Sequence, residues 1–221
     1  MAHTRKLGYR YPNDRTIEDF KDSYVKKAIT IPVNIKIDGE HRVLNLDNIK
    51  KILSKARTIS LMDCVCRVKY ENCDAPVNTC VDMNETAERN IRNGSAKEIT
   101  YDEALEIFKE THKAGLVPMA MEQGEFYEPG VINSICNCCT CCCVVLSGLI
   151  RFGLVPHLVV SQATSVTDTF SCTDCGVCVE RCQFGAREIV NGTLVYNPEL
   201  CFGCGLCVST CPTNAITLID K

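Results

Sequence analysis

A chain of 221 residues, 46% of them hydrophobic, has room for one medium domain or two small ones with a real core, which excludes a disordered tail. Its net charge of −3 is too mild for a nucleic-acid footprint, so nucleic acid is not an expected partner. Eighteen cysteines would suit a disulfide scaffold in a secreted chain, but "MAHTRKLGYRYPND" has no apolar core and cleavage site of a signal peptide, and no apolar run approaches the roughly 18–20 residues of a membrane span. A cytoplasmic location is expected, where clustered thiols favour metal ligation over disulfides.

Thr16 to Ile29, "TIEDFKDSYVKKAI", spaces Ile17, Phe20, Tyr24 and Ala28 as an amphipathic helix. The next segment, "ITIPVNIKIDGEHRVLNL", alternates apolar and polar residues around Asp38-Gly39 and predicts a β-hairpin. Asp47 is placed to cap a helix through Ala56, with Ile49, Ile52 and Leu53 facing inward. Helix, hairpin and helix together suggest a winged-helix-like unit. "TISLMDCVCRVKYENCDAPVNTC" starts as a strand and runs into a loop carrying Cys64, Cys66, Cys73 and Cys80.

Asn84 to Asn93 reads as a helix stopped by Gly94. Thr100 opens a capping box with Glu103, and the helix it starts buries Ala104, Leu105, Ile107 and Phe108 until Gly115 ends it. "GLVPMAM" predicts a strand. After the acidic loop "EQGEFYEPG" comes "ICNCCTCCC", with Cys136, Cys138, Cys139, Cys141, Cys142 and Cys143 in nine positions, and "VVLSGLIRFGL" continues as a short buried helix. The polar, β-branched "VPHLVVSQATSVTD" reads as a connection between domains.

From Ser171 the chain repeats itself: "CTDCGVCVERC" at Cys172 is matched by "CFGCGLCVSTC" at Cys201, every cysteine shifted by 29 residues. Asn191-Gly192 supplies a tight turn in "REIVNGTLVY". From Thr167 onward six acids (Asp168, Asp174, Glu180, Glu188, Glu199, Asp220) face three bases (Arg181, Arg187, Lys221), so this last quarter holds the chain's whole excess of negative charge.

The doubled C-x2-C-x2-C-x3-C of this segment resembles the bacterial two-cluster ferredoxins over Ser171 to about Asp220. In that pattern the first three thiolates of each motif wrap one cluster and the fourth crosses to the other. The resemblance implies one [4Fe–4S] cluster on Cys172, Cys175, Cys178 and Cys211, and a second on Cys201, Cys204, Cys207 and Cys182. Gly176, Gly203 and Gly205 fit a chain curling around sulfide, and Pro212 follows the last cysteine as the family pattern expects. Gln183 departs from it, standing where proline would follow Cys182. The alternative is a pair of zinc sites, which repeated C-x2-C also suits.

Ten thiols remain, more than one zinc or one cubane requires. Adjacent cysteines in an extended chain point in opposite directions, so the pairs Cys138-Cys139 and Cys142-Cys143 are expected to serve different metals or different faces of a larger cluster. Cys64, Cys66, Cys73, Cys80, Cys136, Cys138, Cys139, Cys142 and Cys143 are the expected ligands of one or two additional iron–sulfur clusters, with Cys141 the weakest candidate. A zinc site and a redox-active thiol cluster remain open. Arg67 either offsets cluster charge or lies on the surface; His112 is a structural cation at a helix C-terminus, and His157 is solvated.

The whole chain also resembles a family of ferredoxin-like iron–sulfur proteins of anaerobic bacteria and archaea. The residues that carry this are Cys64, Cys66, Arg67, Cys73, Asp74, Pro76, Thr79, Cys80, Gly115-Leu116-Val117 and the run Cys136 to Cys143. It implies an anaerobic electron carrier or a redox subunit.

The expected fold is therefore α+β: a cysteine-rich helix and hairpin domain over residues 1–160 and a dicluster ferredoxin domain of βαββαβ type over residues 167–221. The expected activity is relay of low-potential electrons between a donor and an acceptor oxidoreductase, as a carrier or as part of a larger complex. A reductase with a catalytic N-terminal cluster and a redox-responsive winged-helix regulator are the alternatives.

Overall fold

The computed structural model describes residues 25–38, 41–126, 128–152 and 159–221. In chain order the first part comprises β1 (Val25–Thr30), β2 (Asn34–Asp38), β3 (His41–Asn45), α1 (Asp47–Leu53), β4 (Ile59–Asp63), α2 (Val65–Tyr70), β5 (Asn78–Met83), α3 (Asn84–Arg92), β6 (Ala96–Glu98), α4 (Tyr101–Lys113), β7 (Val117–Gln123), β8 (Ser134–Cys138), α5 (Val144–Phe152) and β9 (Val159–Ser161). Seven of these strands form one sheet in the order β6-β4-β5-β8-β7-β1-β9. Every neighbouring pair is antiparallel except β1 and β9.

Strand alternation divides the sheet's side chains between two cores. On one face Leu61, Val81, Met83, Ala120 and Ile135 pack with Ile49 and Leu53 of α1 and Ala104 and Phe108 of α4. On the other, Ala28, Val117, Met119, Met121 and Cys138 pack with Leu146 of α5 and with Phe202, Cys204 and Leu206 from the C-terminal repeat. The repeat thus shares a hydrophobic core with the sheet. Burying each of its larger apolar side chains stabilises the junction by about 1.5–3 kcal/mol.

The C-terminal part contains β10 (Ala163–Thr167), α6 (Val177–Arg181), β11 (Arg187–Val190), β12 (Thr193–Tyr196), α7 (Leu206–Thr210) and β13 (Ile216–Asp220). β10 pairs antiparallel with β13, and β11 with β12 across a turn in which Asn191 and Gly192 both take positive φ. The internal repeat is visible locally: α6 and α7 each begin after a left-handed glycine, Gly176 at φ +75° and Gly205 at φ +81°.

Several sequence expectations hold. The hairpin is β2 and β3, with its turn residues outside those described. The capping box is formed in both directions, Thr100 Oγ1 accepting from Glu103 N–H and the Glu103 carboxylate from Thr100 N–H. α3 ends at Asn93 with Gly94 at φ +78°.

Others need correction. Residues 16–24 of the expected first helix lie outside the described residues, and Val25–Thr30 is a strand instead. Asp47 is the first residue of α1, whose N-cap is Leu46 without a side-chain cap bond. The cysteine-bearing stretch after β4 is not all loop, since Cys64 stands at the N-cap position of α2 without a side-chain cap bond, Cys66 lies within α2, and Cys80 lies in β5. The stretch read as a connection contains β9, which joins the main sheet, and β10, which pairs with the last strand.

Close contacts lock the repeat onto the sheet. Thr30 Oγ1 donates to Phe202 O at 2.7 Å, and Val33 N–H to Cys204 O at 3.3 Å. A Cβ on Gly205 would lie 1.7 Å from Val33 O, and one on Gly203 2.2 Å from Ala163 O. These two glycines therefore also serve backbone-to-backbone packing, beyond the curl of a cluster loop. His112 is buried and neutral rather than a helix-end cation: burial, aided by nearby Arg181, lowers its pKa to about 4, and Nε2 lies 2.7 Å from Ser209 Oγ. Arg181 donates to the carbonyls of His112 and Lys113.

Candidate metal centres

The two tandem motifs form two cavities of similar size. One, of about 310 Å³ counting its solvent-open side, is lined by Cys172, Cys175, Cys178 and Cys211 with Leu194 and Ile216 as apolar wall. The other, of about 330 Å³ on the same basis, is lined by Cys182, Cys201, Cys204 and Cys207 with Phe184 and Leu206. Each fourth cysteine has crossed to the other motif's triad. Cys175 of the first cavity is exposed, whereas Cys201 and Cys204 of the second are buried.

Hydrogen bonds to sulfur favour thiolates here. Burial opposes ionisation of Cys201, but the Tyr196 hydroxyl, Gly203 N–H and the Ser165 hydroxyl together hold it at about 7. Ala215 N–H donates to Cys211 Sγ at 3.3 Å. Burial pushes Cys207 up to about 11, against the pull of the Arg187 guanidinium.

Arg187 is a residue that sequence reading counted only as a base. It is buried, donates to Thr167 Oγ1 and Ser165 Oγ at 2.8 Å each, and stacks 4.5 Å over the Tyr196 ring. Its charge acts on Cys178 of one cavity and Cys207 of the other, so it stands between them. Nothing local marks it in the sequence; its hydroxyl partners come from β10, twenty residues or so upstream.

The ten N-terminal thiols separate into two groups. Cys73, Cys139, Cys141 and Cys142 lie with their sulfurs all within 4.8 Å of one another. Each of the four contacts the other three, with Cys73 Sγ 3.9 Å from Cys139 Sγ and 3.8 Å from Cys142 Sγ. The structure thus includes Cys141, the weakest sequence candidate. It sits in the turn between β8 and α5, where spacing alone could not show which way its side chain points.

The other six close a ring: Cys64 meets Cys66 and Cys80, Cys80 meets Cys136, Cys136 meets Cys138, Cys138 meets Cys143, and Cys143 meets Cys66. Around it the thiol pKa values alternate. Contact with neighbouring thiols lowers Cys64, Cys136 and Cys143 and, with burial, raises Cys66, Cys80 and Cys138. Sheet geometry builds this ring, since Cys136 and Cys138 share a face of β8 and the register Val81↔Ile135 sets Cys80 of β5 beside them. Both adjacent pairs are split: Cys138 and Cys143 belong to the ring, Cys139 and Cys142 to the group of four.

Arg67 is 2% exposed and lies between the groups. Its guanidinium donates to Pro76 O at 2.8 Å, Asn137 O at 2.9 Å, Thr79 Oγ1, and Cys139 Sγ at 3.8 Å, and its charge also faces Cys64 and Cys138. A surface role is excluded. Gln183, where the ferredoxin pattern has proline, ties the second cavity to the group of four: its Oε1 accepts from Thr140 Oγ1 at 2.9 Å and its Nε2 donates to Gly115 O at 2.8 Å. Proline could make neither bond. His157 lies outside the described residues.

Soft thiol donors in fours, crossed between tandem loops and surrounded by sulfur-directed N–H and O–H groups, fit [4Fe–4S] binding, and they define an iron–sulfur protein. A 4Fe-4S binding domain family (Fer4) matches residues 194–217, the segment holding Cys201, Cys204, Cys207 and Cys211. No curated protein matches the chain. No described helix is long and apolar enough to cross a membrane.

Proposed function

We propose that the protein is an electron-transfer iron–sulfur protein, a carrier or redox-complex subunit relaying low-potential electrons through two [4Fe–4S] clusters and one or two further N-terminal iron–sulfur clusters. When bound, each cluster supplies one-electron exchange. The observation that carries this reading is the succession of thiol-lined sites, from the first cavity with its exposed Cys175 to the second, whose buried Cys204 shares a hydrophobic core with Cys138 and Cys143 of the six-thiol ring. A redox relay needs such adjacency.

The exposed end suits a docking partner. Cys175 and Phe170, the latter fully exposed, stand beside Asp168 and Asp174, an apolar contact within an acidic margin. An oxidoreductase with a basic rim around its own redox centre is the complementary surface. The chain's residues orient and insulate: Arg187 holds a fixed positive charge between the cavities, and Gln183 and Arg181 keep the repeat seated on α4 and the cysteine run.

The test is full-length protein prepared without oxygen. At least about eight iron and eight acid-labile sulfide per chain are expected for the tandem motifs alone, with visible absorbance bleached by oxygen and a paramagnetic signal on reduction. A colourless protein lacking labile sulfide would overturn the proposal.

A further inference from the structure

We infer that the ten N-terminal thiols form two metal sites of different nuclearity, and that Cys73, Cys139, Cys141 and Cys142 bind one tetrahedral, thiophilic metal ion of the zinc class rather than an iron–sulfur cluster. The inference rests on the proposed iron–sulfur function for the rest of the molecule and narrows it to the six-thiol ring as the further cluster site.

The geometry carries this. The four sulfurs all lie within 4.8 Å of one another, and two of their six separations measure 3.8 and 3.9 Å, close enough to surround one ion. A regular tetrahedron's edge is about 1.63 times its centre-to-corner distance, so a tetrahedral site with edges like these two would hold its ion about 2.3–2.4 Å from sulfur, the zinc–thiolate bond length. A cubane interposes four irons and four sulfides and holds its thiolates further apart. The ferredoxin-motif thiols are arranged differently: they stand around cavities of about 310 and 330 Å³, and among the described residues the group of three or more cysteines with sulfurs all within 4.8 Å of one another is Cys73, Cys139, Cys141 and Cys142.

The surroundings agree with a closed structural site. Cys139, Cys141 and Cys142 are fully buried. Asn72 Nδ2 donates to Cys141 O at 2.8 Å, fixing the loop of Cys73 against the turn that carries the other three. Arg67 donates to Cys139 Sγ and offsets part of the charge of four thiolates, as groups around a metal's ligands commonly do. Four thiolates leave no open position, so the ion would crosslink the segment after α2 to the turn before α5, beside Gln183 and the second cavity.

The experiment uses anaerobically prepared full-length protein and its Cys141→Ser variant, with iron, zinc and labile sulfide counted in both. X-ray absorption at the zinc edge, or at the iron edge if zinc is absent, is recorded on the unmutated chain. Expected are one metal atom per chain without accompanying sulfide, a single shell of sulfur at about 2.3 Å, and loss of that one atom alone in Cys141→Ser. A single sulfide-free iron lost in the same way supports the nuclearity equally. Loss of about four iron and four sulfide in the variant overturns the inference, as does unmutated protein whose metal is entirely accounted for by sulfide-bearing clusters. Because the unmutated chain is read directly, misfolding of the variant does not shield the inference. Absence of labile sulfide altogether would instead overturn the proposed function and leave this site standing.

Discussion

Gly205 and Gly192 take almost the same backbone conformation, φ +81° and +82°, in opposite surroundings. An alanine at either position bears the left-handed penalty of about 1–2 kcal/mol. At Gly192 that is the whole cost, because nothing lies within 4 Å of the added Cβ. At Gly205 the Cβ falls 1.7 Å from Val33 O, and since ordinary contact begins near 3.4 Å the carbonyl must retreat by the difference of 1.7 Å. Such a shift breaks Val33 N–H to Cys204 O, costing about 1–3 kcal/mol for groups left unpaired. It also unseats Val33, 1% exposed in the core, for a further ~1–3 kcal/mol. Gly205→Ala is thus expected to exceed Gly192→Ala by about 2–6 kcal/mol, and at about 2–4 °C per kcal/mol for a chain of this size the midpoints differ by roughly 4–24 °C. The assay is thermal unfolding of the metal-loaded full chain under anaerobic conditions, followed by circular dichroism and visible absorbance. Equal midpoints for the two variants would refute the close docking of the repeat on the loop after β1.

Further expectations concern the centres and their supports. Arg67→Lys keeps the charge but loses the fork that serves Pro76, Asn137, Thr79 and Cys139, so denaturant unfolding should show about 2–4 kcal/mol of lost stability; a change below about 0.5 kcal/mol, the level of an ordinary surface substitution, contradicts its buried role. His112 has a folded pKa of about 4, below the ordinary 6.5, so the unfolded chain takes up the proton first and the stability present above pH 6.5 drains away toward pH 4. Between pH 7.5 and 5.5 that loss is about 1.3 kcal/mol, and it should vanish in His112→Asn; an unchanged pH slope sinks the assignment. Arg187→Met should lower the reduction potentials of both tandem-motif clusters by roughly 50–100 mV, as removal of a nearby cation requires, read by a paramagnetic-resonance redox titration. A shift in only one of them argues against its place between the cavities. Cys182→Ser and Cys201→Ser should each remove about four iron, and the double variant no more than either; additive losses would mean that the two thiols serve different clusters.

What the sequence makes legible depends on how local the physics is. The tandem cysteine spacing and the Thr100–Glu103 box read directly, because the interacting groups lie within a few residues of each other. The division of the run Cys136 to Cys143 follows partly from strand alternation, which separates Cys138 from Cys139. It depends also on the Val81↔Ile135 register that brings Cys80 to the ring, and on a turn that aims Cys141 inward. Neither is encoded in cysteine spacing. β1 was misread because "VKKAIT" fits the tail of a helix as well as a strand. Its partners, β7 and β9, lie roughly 90 and 130 residues away in register. His112 carried a helix-end signal that Ser209, 97 residues on, overrides by burying it.

Under the proposed assignment of clusters, the split of the thiols across distant segments imposes an order on maturation. Cys172, Cys175 and Cys178, like Cys201, Cys204 and Cys207, sit on short loops that a nascent chain can present to an iron–sulfur donor as soon as each has been synthesised. The ring of six cannot be presented that way, because Cys80 meets Cys136, and Cys66 meets Cys143, only after β8 has slotted between β5 and β7. A single ion at Cys73 and the turn of Cys139 to Cys142 would pin that late pairing in place. The delivery machinery would then meet a finished basin in the sheet face, ahead of the docking of the C-terminal repeat that closes over it.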